Sequence, residues 1–212
     1  MTSISMDSEQ PGLSPMLRDI SRIVLSEEEI RRRVRELGAQ ISQDYAGLNP
    51  LLIGVLKGVL FFMSDLLRAI TIPVTVDFMA ISRYAPRQPA KGPVRLIKDL
   101  DEAVEGRHLL FVEDVIDTGL TLSYLLRTLK ARNPASLEVC TLFNKPEHRL
   151  ADIPLKYKGF DLPDRFVVGY GLDYQEGYRH LPFVGELKPE ILRLGRSGSE
   201  DVKRANLEKA GH

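Results

Sequence analysis

The chain has 212 residues, 43% hydrophobic and 27% charged, the balance of one globular domain large enough to bury a real core. Its 29 basic and 29 acidic side chains cancel, so no global field gathers polyanions and any phosphate recognition has to be local. The single cysteine, Cys140, excludes an intrachain disulfide. The most apolar stretch, 51–63, is split by Lys57, and the start of the chain has no basic-then-apolar leader pattern, so a cytoplasmic protein that neither spans nor binds a membrane is expected.

In chain order, residues 1–22 are polar, carry Pro11, Gly12 and Pro15, and read as a flexible arm. Ser26 with Glu29 has the spacing of a capping box, and Ile30, Val34, Leu37, Ile41 and Tyr45 then recur on one helical face. Asn49-Pro50 ends that helix. An apolar run at 51–56 reads as a buried strand, followed by Lys57-Gly58 and a helix over 59–70. By itself Lys57 reads as a solvated lysine at a helix start, though a cation there opposes the helix dipole and is the less favoured choice. Alternation over 74–81 predicts a strand, and 94–98 its returning partner. Between them 82–93, with three prolines and a glycine, has no periodicity and reads as a lid.

The stretch 109–122, LLFVEDVIDTGLTL, is the organising one: an apolar strand, an acidic loop, and a helix with Leu122, Leu125, Leu126 and Leu129 on one face. Such a loop lies at the carboxyl end of a strand, where open α/β sheets bind ligands. Gly119 admits a ligand close to the backbone, Thr118 and Thr121 offer hydroxyls, and the first helical N–H groups lack partners, which together describe a phosphate site. Glu113 and Asp114 beside it would repel phosphate unless a ribose diol or hydrated Mg²⁺ lies between. Read for stability alone, Asp117 and Thr118 would merely cap the helix, but three carboxylates crowding one strand end favour a functional site. Further strands are expected at 137–143, with Lys145 just past its end, and at 166–170, followed by Gly171-Leu172-Asp173-Tyr174 and Arg179. Lys145 could be an ordinary exposed lysine, Phe166 core and Asp173 a turn residue. A short helix is expected over 188–194, and 195–212 is a polar tail.

VEDVIDTGLTL resembles the phosphoribosyl-diphosphate (PRPP) binding motif of the type I phosphoribosyltransferases, and from Ile23 to Leu187 the chain resembles their hypoxanthine-guanine branch. The resemblance implies an α/β fold with a mostly parallel twisted sheet flanked by helices, a small hood built partly from both ends of a domain spanning 23–194, and a lid that closes through Ser82 and Tyr84. It implies that Glu113, Asp114, Asp117, Thr118, Gly119, Leu120 and Thr121 hold phosphate and ribose, that Lys57, Gly58 and Arg179 hold pyrophosphate, and that Lys145, Phe166, Val167 and Asp173 hold the base. Asp173 would ligate Mg²⁺, with Glu113 and Asp114 acting indirectly or through the ribose; Asp117 would be the general base; and the Leu56–Lys57 peptide would be cis. Lys145 can only donate, so it suits a 6-oxopurine and mismatches adenine. The implied partners are PRPP and a 6-oxopurine, in a homo-oligomer (dimer or tetramer) that binds no nucleic acid. The rival readings are a nucleotide-responsive regulator of the same fold and a xanthine-preferring enzyme.

Overall fold

The computed structural model describes residues 14–83 and 94–193. Its centre is a six-stranded sheet in the order β4-β3-β2-β5-β6-β7, formed by β2 (Leu51–Leu56), β3 (Thr75–Arg83), β4 (Val94–Lys98), β5 (His108–Ile116), β6 (Ser136–Asn144) and β7 (Tyr157–Asp161). All neighbours run parallel except β3 and β4, which form an antiparallel hairpin. From β2 the chain moves outward one way, and from β5 the other way. The switch point lies between β2 and β5, and a crevice outside their carboxyl ends follows from that reversal.

Residues 51–56 of β2 and 109–112 of β5 are apolar because both sheet faces are covered there. Leu52, Leu110 and Val112 face α2 (Glu27–Asp44) and α3 (Leu60–Ala69). Leu51, Ile53, Val55, Leu109 and Phe111 face α4 (Leu120–Lys130), whose buried stripe is Leu122, Leu125 and Leu129. The strand period of two thus divides one apolar run between two cores. The Ser26 capping box that starts α2 is complete, with the Ser26 hydroxyl accepting from the Glu29 amide and the Glu29 carboxylate accepting from the Ser26 amide.

A separate three-stranded antiparallel sheet, β1-β9-β8, joins β1 (Ile20–Leu25), β9 (Val184–Leu187) and β8 (Val167–Val168). Residues 14–22, read from the sequence as part of an arm, carry the short helix α1 (Ser14–Leu17) and the start of β1. Polar side chains hid that strand: it is exposed along Ser21, Arg22 and Ile23, and its order comes from pairing with a segment about 160 residues away. The strand expected at 166–170 is only the two residues of β8, and β7 was not anticipated. Residues 1–13 and 194–212 fall outside the described residues, as does 84–93, the greater part of the expected lid, with Tyr84. Among the described residues no helix is long and apolar enough to cross a membrane.

Candidate active site

The crevice at the switch point is a cleft of about 680 Å³. Its floor is made where strand pairing is incomplete. β5 pairs with β2 only as far as Val112, yet with β6 as far as Ile116. Glu113 and Asp114, expected in the loop, therefore lie on a strand that has lost one neighbour. Burial pushes the Glu113 carboxyl well above the usual range, with the Asp114 charge adding to the effect, and Glu113 Oε2 has no hydrogen-bond partner. Burial also pushes Asp114 up, partly opposed by the Val115 amide that donates to its Oδ1 at 2.8 Å.

After β5 the chain turns through Asp117, Thr118 and Gly119 into α4. Gly119 is the N-cap residue at φ 78°, a left-handed conformation that favours glycine, and no side chain caps the helix. Thr118 Oγ1 reaches the Leu120 amide only at 3.5 Å, so capping does not account for these residues. The helix N-terminus is left open to an anion. Leu120 opens α4 half exposed, away from the cleft lining, and can take part only through its amide.

Facing this loop is the turn after β2. The Leu56–Lys57 peptide is cis. Gly58 lies so close to Asp114 that a Cβ there would overlap the carboxylate. Lys57 Nζ pairs with Glu176 Oε2 at 2.9 Å, both side chains mostly exposed. An exposed pair of this kind is worth little, so Lys57 is easily surrendered to a stronger anion. Arg179 is better held: Nη1 donates to the Gly171 carbonyl at 2.7 Å, and Nη2 meets Asp173 Oδ1 at 2.8 Å and Glu176 Oε1 at 3.5 Å. Its buried Nε has no hydrogen-bond partner.

At the other end Lys145 follows β6 and donates to the Arg165 carbonyl at 2.9 Å. Phe166 is 44% exposed and packs edge-on against Tyr174, with ring centroids 5.4 Å apart, leaving a ring face for a flat ligand. Val167 is buried beside it. Among the described residues, the cleft thus brings together every one singled out from the sequence except Leu120 and Ser82. Ser82 lies on β3 opposite Arg95 and does not line the cleft; Ile81 does.

Four polar residues at or beside the cleft were not foreseen. Glu176 pairs with Lys57, while His148, Asp164 and Arg149 gather at Asp117. The sequence signal available was the charged run Pro146-Glu147-His148-Arg149 straight after a strand end, which spacing alone does not tie to the acidic loop.

Residues 23–175 match the phosphoribosyl transferase domain family. The chain is 50% identical over 176 residues to the hypoxanthine-guanine phosphoribosyltransferase of Bacillus subtilis (strain 168), covering 83% of this chain and 98% of that one. It is also 50% identical over 179 residues to that of Mycobacterium tuberculosis, covering 82% and 89% respectively. Among solved structures, the fold is similar to a hypoxanthine phosphoribosyltransferase from Staphylococcus aureus at TM-score 0.81 and 45% identity, covering 86% of this chain and 98% of that one.

Proposed function

The chain belongs to the phosphoribosyl transferase family, and from that premise we propose that it transfers the 5-phosphoribosyl group of PRPP to hypoxanthine or guanine, releasing pyrophosphate. The observation that carries this reading is a single cleft with an open helix N-terminus at one end and the Lys145 ammonium beside an exposed Phe166 ring at the other. The two ends suit a sugar phosphate and a base, with the reacting carbon between them.

The phosphate is taken by the amides of 118–121 and the Thr118 and Thr121 hydroxyls, and the ribose diol by Glu113 and Asp114. Lys57, the Gly58 amide and Arg179 receive pyrophosphate, so charge developing on the leaving oxygen meets donors already in place. Phe166 stacks on the base, the Val167 backbone bonds its edge, and Lys145 donates to the 6-oxo group. As the purine nitrogen bonds to C1 and pyrophosphate leaves with its electron pair, a proton on the purine ring passes to Asp117.

The cleft is lined by five carboxylates, Glu113, Asp114, Asp117, Asp173 and Glu176, against three cations, Lys57, Lys145 and Arg179. A polyanion is poorly received there alone. Among the described residues no ready-made group of three ligating side chains exists, which suits Mg²⁺, an ion that keeps waters and binds one or two carboxylates plus substrate phosphates. Asp173 fits as its ligand, and the unpartnered Glu113 oxygen fits a water or hydroxyl beside it. When bound, Mg²⁺ would supply charge neutralisation for the pyrophosphate. A cytoplasmic location and a homo-oligomer, dimer or tetramer, belong to the same reading.

The test is to incubate the protein with PRPP, Mg²⁺ and each nucleobase separately and follow nucleotide formation. Hypoxanthine and guanine should react and adenine should lag by at least about 10²-fold, because an amino group opposite Lys145 leaves two donors facing each other. Equal rates with adenine would overturn the base assignment, a preference for xanthine would replace it, and nucleotide binding without transfer to any base would favour a regulator.

A further inference from the structure

The carboxylate read as the general base is held by a second machine. His148 Nδ1 stands 2.7 Å from Asp117 Oδ1, and His148 Nε2 stands 2.7 Å from Asp164 Oδ1. The three groups form a line, carboxylate, imidazole, carboxylate, in which Asp117 at the cleft and Asp164 at the far end are each 55% exposed and His148 between them 39%. His148 belongs to the 3-10 turn Pro146–His148, and that turn is fastened to the acidic loop by backbone. The Leu150 and Ala151 amides both donate to the Thr118 carbonyl at 2.9 and 3.1 Å. Arg149 Nε donates to the Asp117 carbonyl at 3.1 Å, and its guanidinium also bonds Asn144 Oδ1 and the Ile116 carbonyl. A surface histidine making one chance ion pair would not be delivered by the four of these bonds that reach the acidic loop and the end of β5.

Resting on the assignment of Asp117 as base, we propose that His148 is its positioning residue and proton acceptor, forming with Asp164 a relay that carries the purine's proton from Asp117 to solvent. Two carboxylates, each at hydrogen-bond distance from a different ring nitrogen, need two protons among the three groups. With one proton, on Nε2 and donated to Asp164, Nδ1 offers a lone pair towards Asp117. The purine N–H then breaks, its electron pair stays on the ring, and its proton reaches the Asp117 carboxylate. From there it moves to Nδ1 while the Nε2 proton passes to Asp164 and on to water, leaving Asp117 ionised. The charged groups facing the imidazole are Asp117 on the acidic loop and Asp164 ahead of β8, with Arg149 from its own turn holding the Asp117 backbone.

The test uses the full chain with PRPP, Mg²⁺ and hypoxanthine, read as single-turnover rate against pH. Because an imidazolium cannot accept, the wild-type rate should fall as pH falls. His148→Ala should lower the rate about 10- to 100-fold, the scale of a misplaced reacting group, with PRPP affinity unchanged within about twofold, and the acid limb should be lost. Added imidazole should restore part of the rate, and Asp164→Asn should give a smaller loss with a shifted limb. Asp117→Asn is the control. If it is inactive while His148→Ala keeps the wild-type rate and limb, or loses rate without imidazole rescue and with the limb unmoved, the relay is rejected and the base assignment stands. If Asp117→Asn itself is fully active, the base assignment fails and takes the relay with it.

Discussion

Gly58 shows how tightly single residues are fitted at the site. It has no room for a side chain, since Asp114 occupies the place of a Cβ on one side, and a Cβ on Gly171 would in turn strike the Gly58 carbonyl. The Lys57-Gly58 turn, the acidic strand and the Arg179 loop are therefore stacked in direct contact. Gly58→Ala is expected to push the Lys57 turn off Asp114 and to lower kcat/KM for PRPP by at least about tenfold, in line with displacement of a positioning group by about 1 Å. Steady-state kinetics checks this, and circular dichroism at the working temperature shows whether the variant is still folded. Activity equal to wild type would mean the three pieces can shift independently.

Among the elements, the β3–β4 hairpin is anchored by a buried charge. Asp77 on β3 is 7% exposed and accepts from the Phe78, Asp101 and Glu102 amides at 2.7, 2.7 and 2.9 Å, with Lys98 Nζ 3.5 Å away. Burial works to raise its pKa, but the three amides and Lys98 outweigh burial, and the carboxyl sits below the usual range. A depressed carboxylate contributes stability that is fully present above its unfolded value of about 3.9 and is lost as pH falls through the folded value. Asp77→Asn should therefore cost about 1–3 kcal/mol at neutral pH and progressively less towards pH about 3, measured by urea unfolding at both. A cost that does not change with pH would show that the carboxylate charge contributes nothing there.

For the whole molecule, the shape of the cleft depends on how the three-stranded sheet is set against the six-stranded one, because Phe166, Asp173 and Arg179 come from the first side and the acidic and Lys57 loops from the second. One tie between them is Tyr170, 6% exposed just past β8, whose hydroxyl donates to Asp65 Oδ2 on α3 at 2.7 Å. Tyr170→Phe removes a bond to a charged but partly solvated acceptor, for an expected loss of about 1 kcal/mol and a Tm lower by about 2–4 °C. Because the same loop carries Asp173 and Arg179, KM for PRPP should rise as well. Differential scanning calorimetry and initial rates check the two effects, and an unchanged Tm with unchanged KM would remove Tyr170 as a tie.

By itself the sequence determined the local elements and the kind of chemistry. Apolar runs at 51–56 and 109–112, the Ser26 box, the leucine stripe of α4, and an acidic strand end ahead of Thr118 and Gly119 are each legible within about a dozen residues. Short-range patterning specifies such features, so they survive reading one segment at a time. Only the tertiary structure decided that β1 pairs with β9, that β5 outruns β2 and so places Glu113 and Asp114 on a strand, and that His148 reaches Asp117. These depend on backbone pairings and loop contacts between segments tens to more than a hundred residues apart. Nothing within any one of these segments marks its partner.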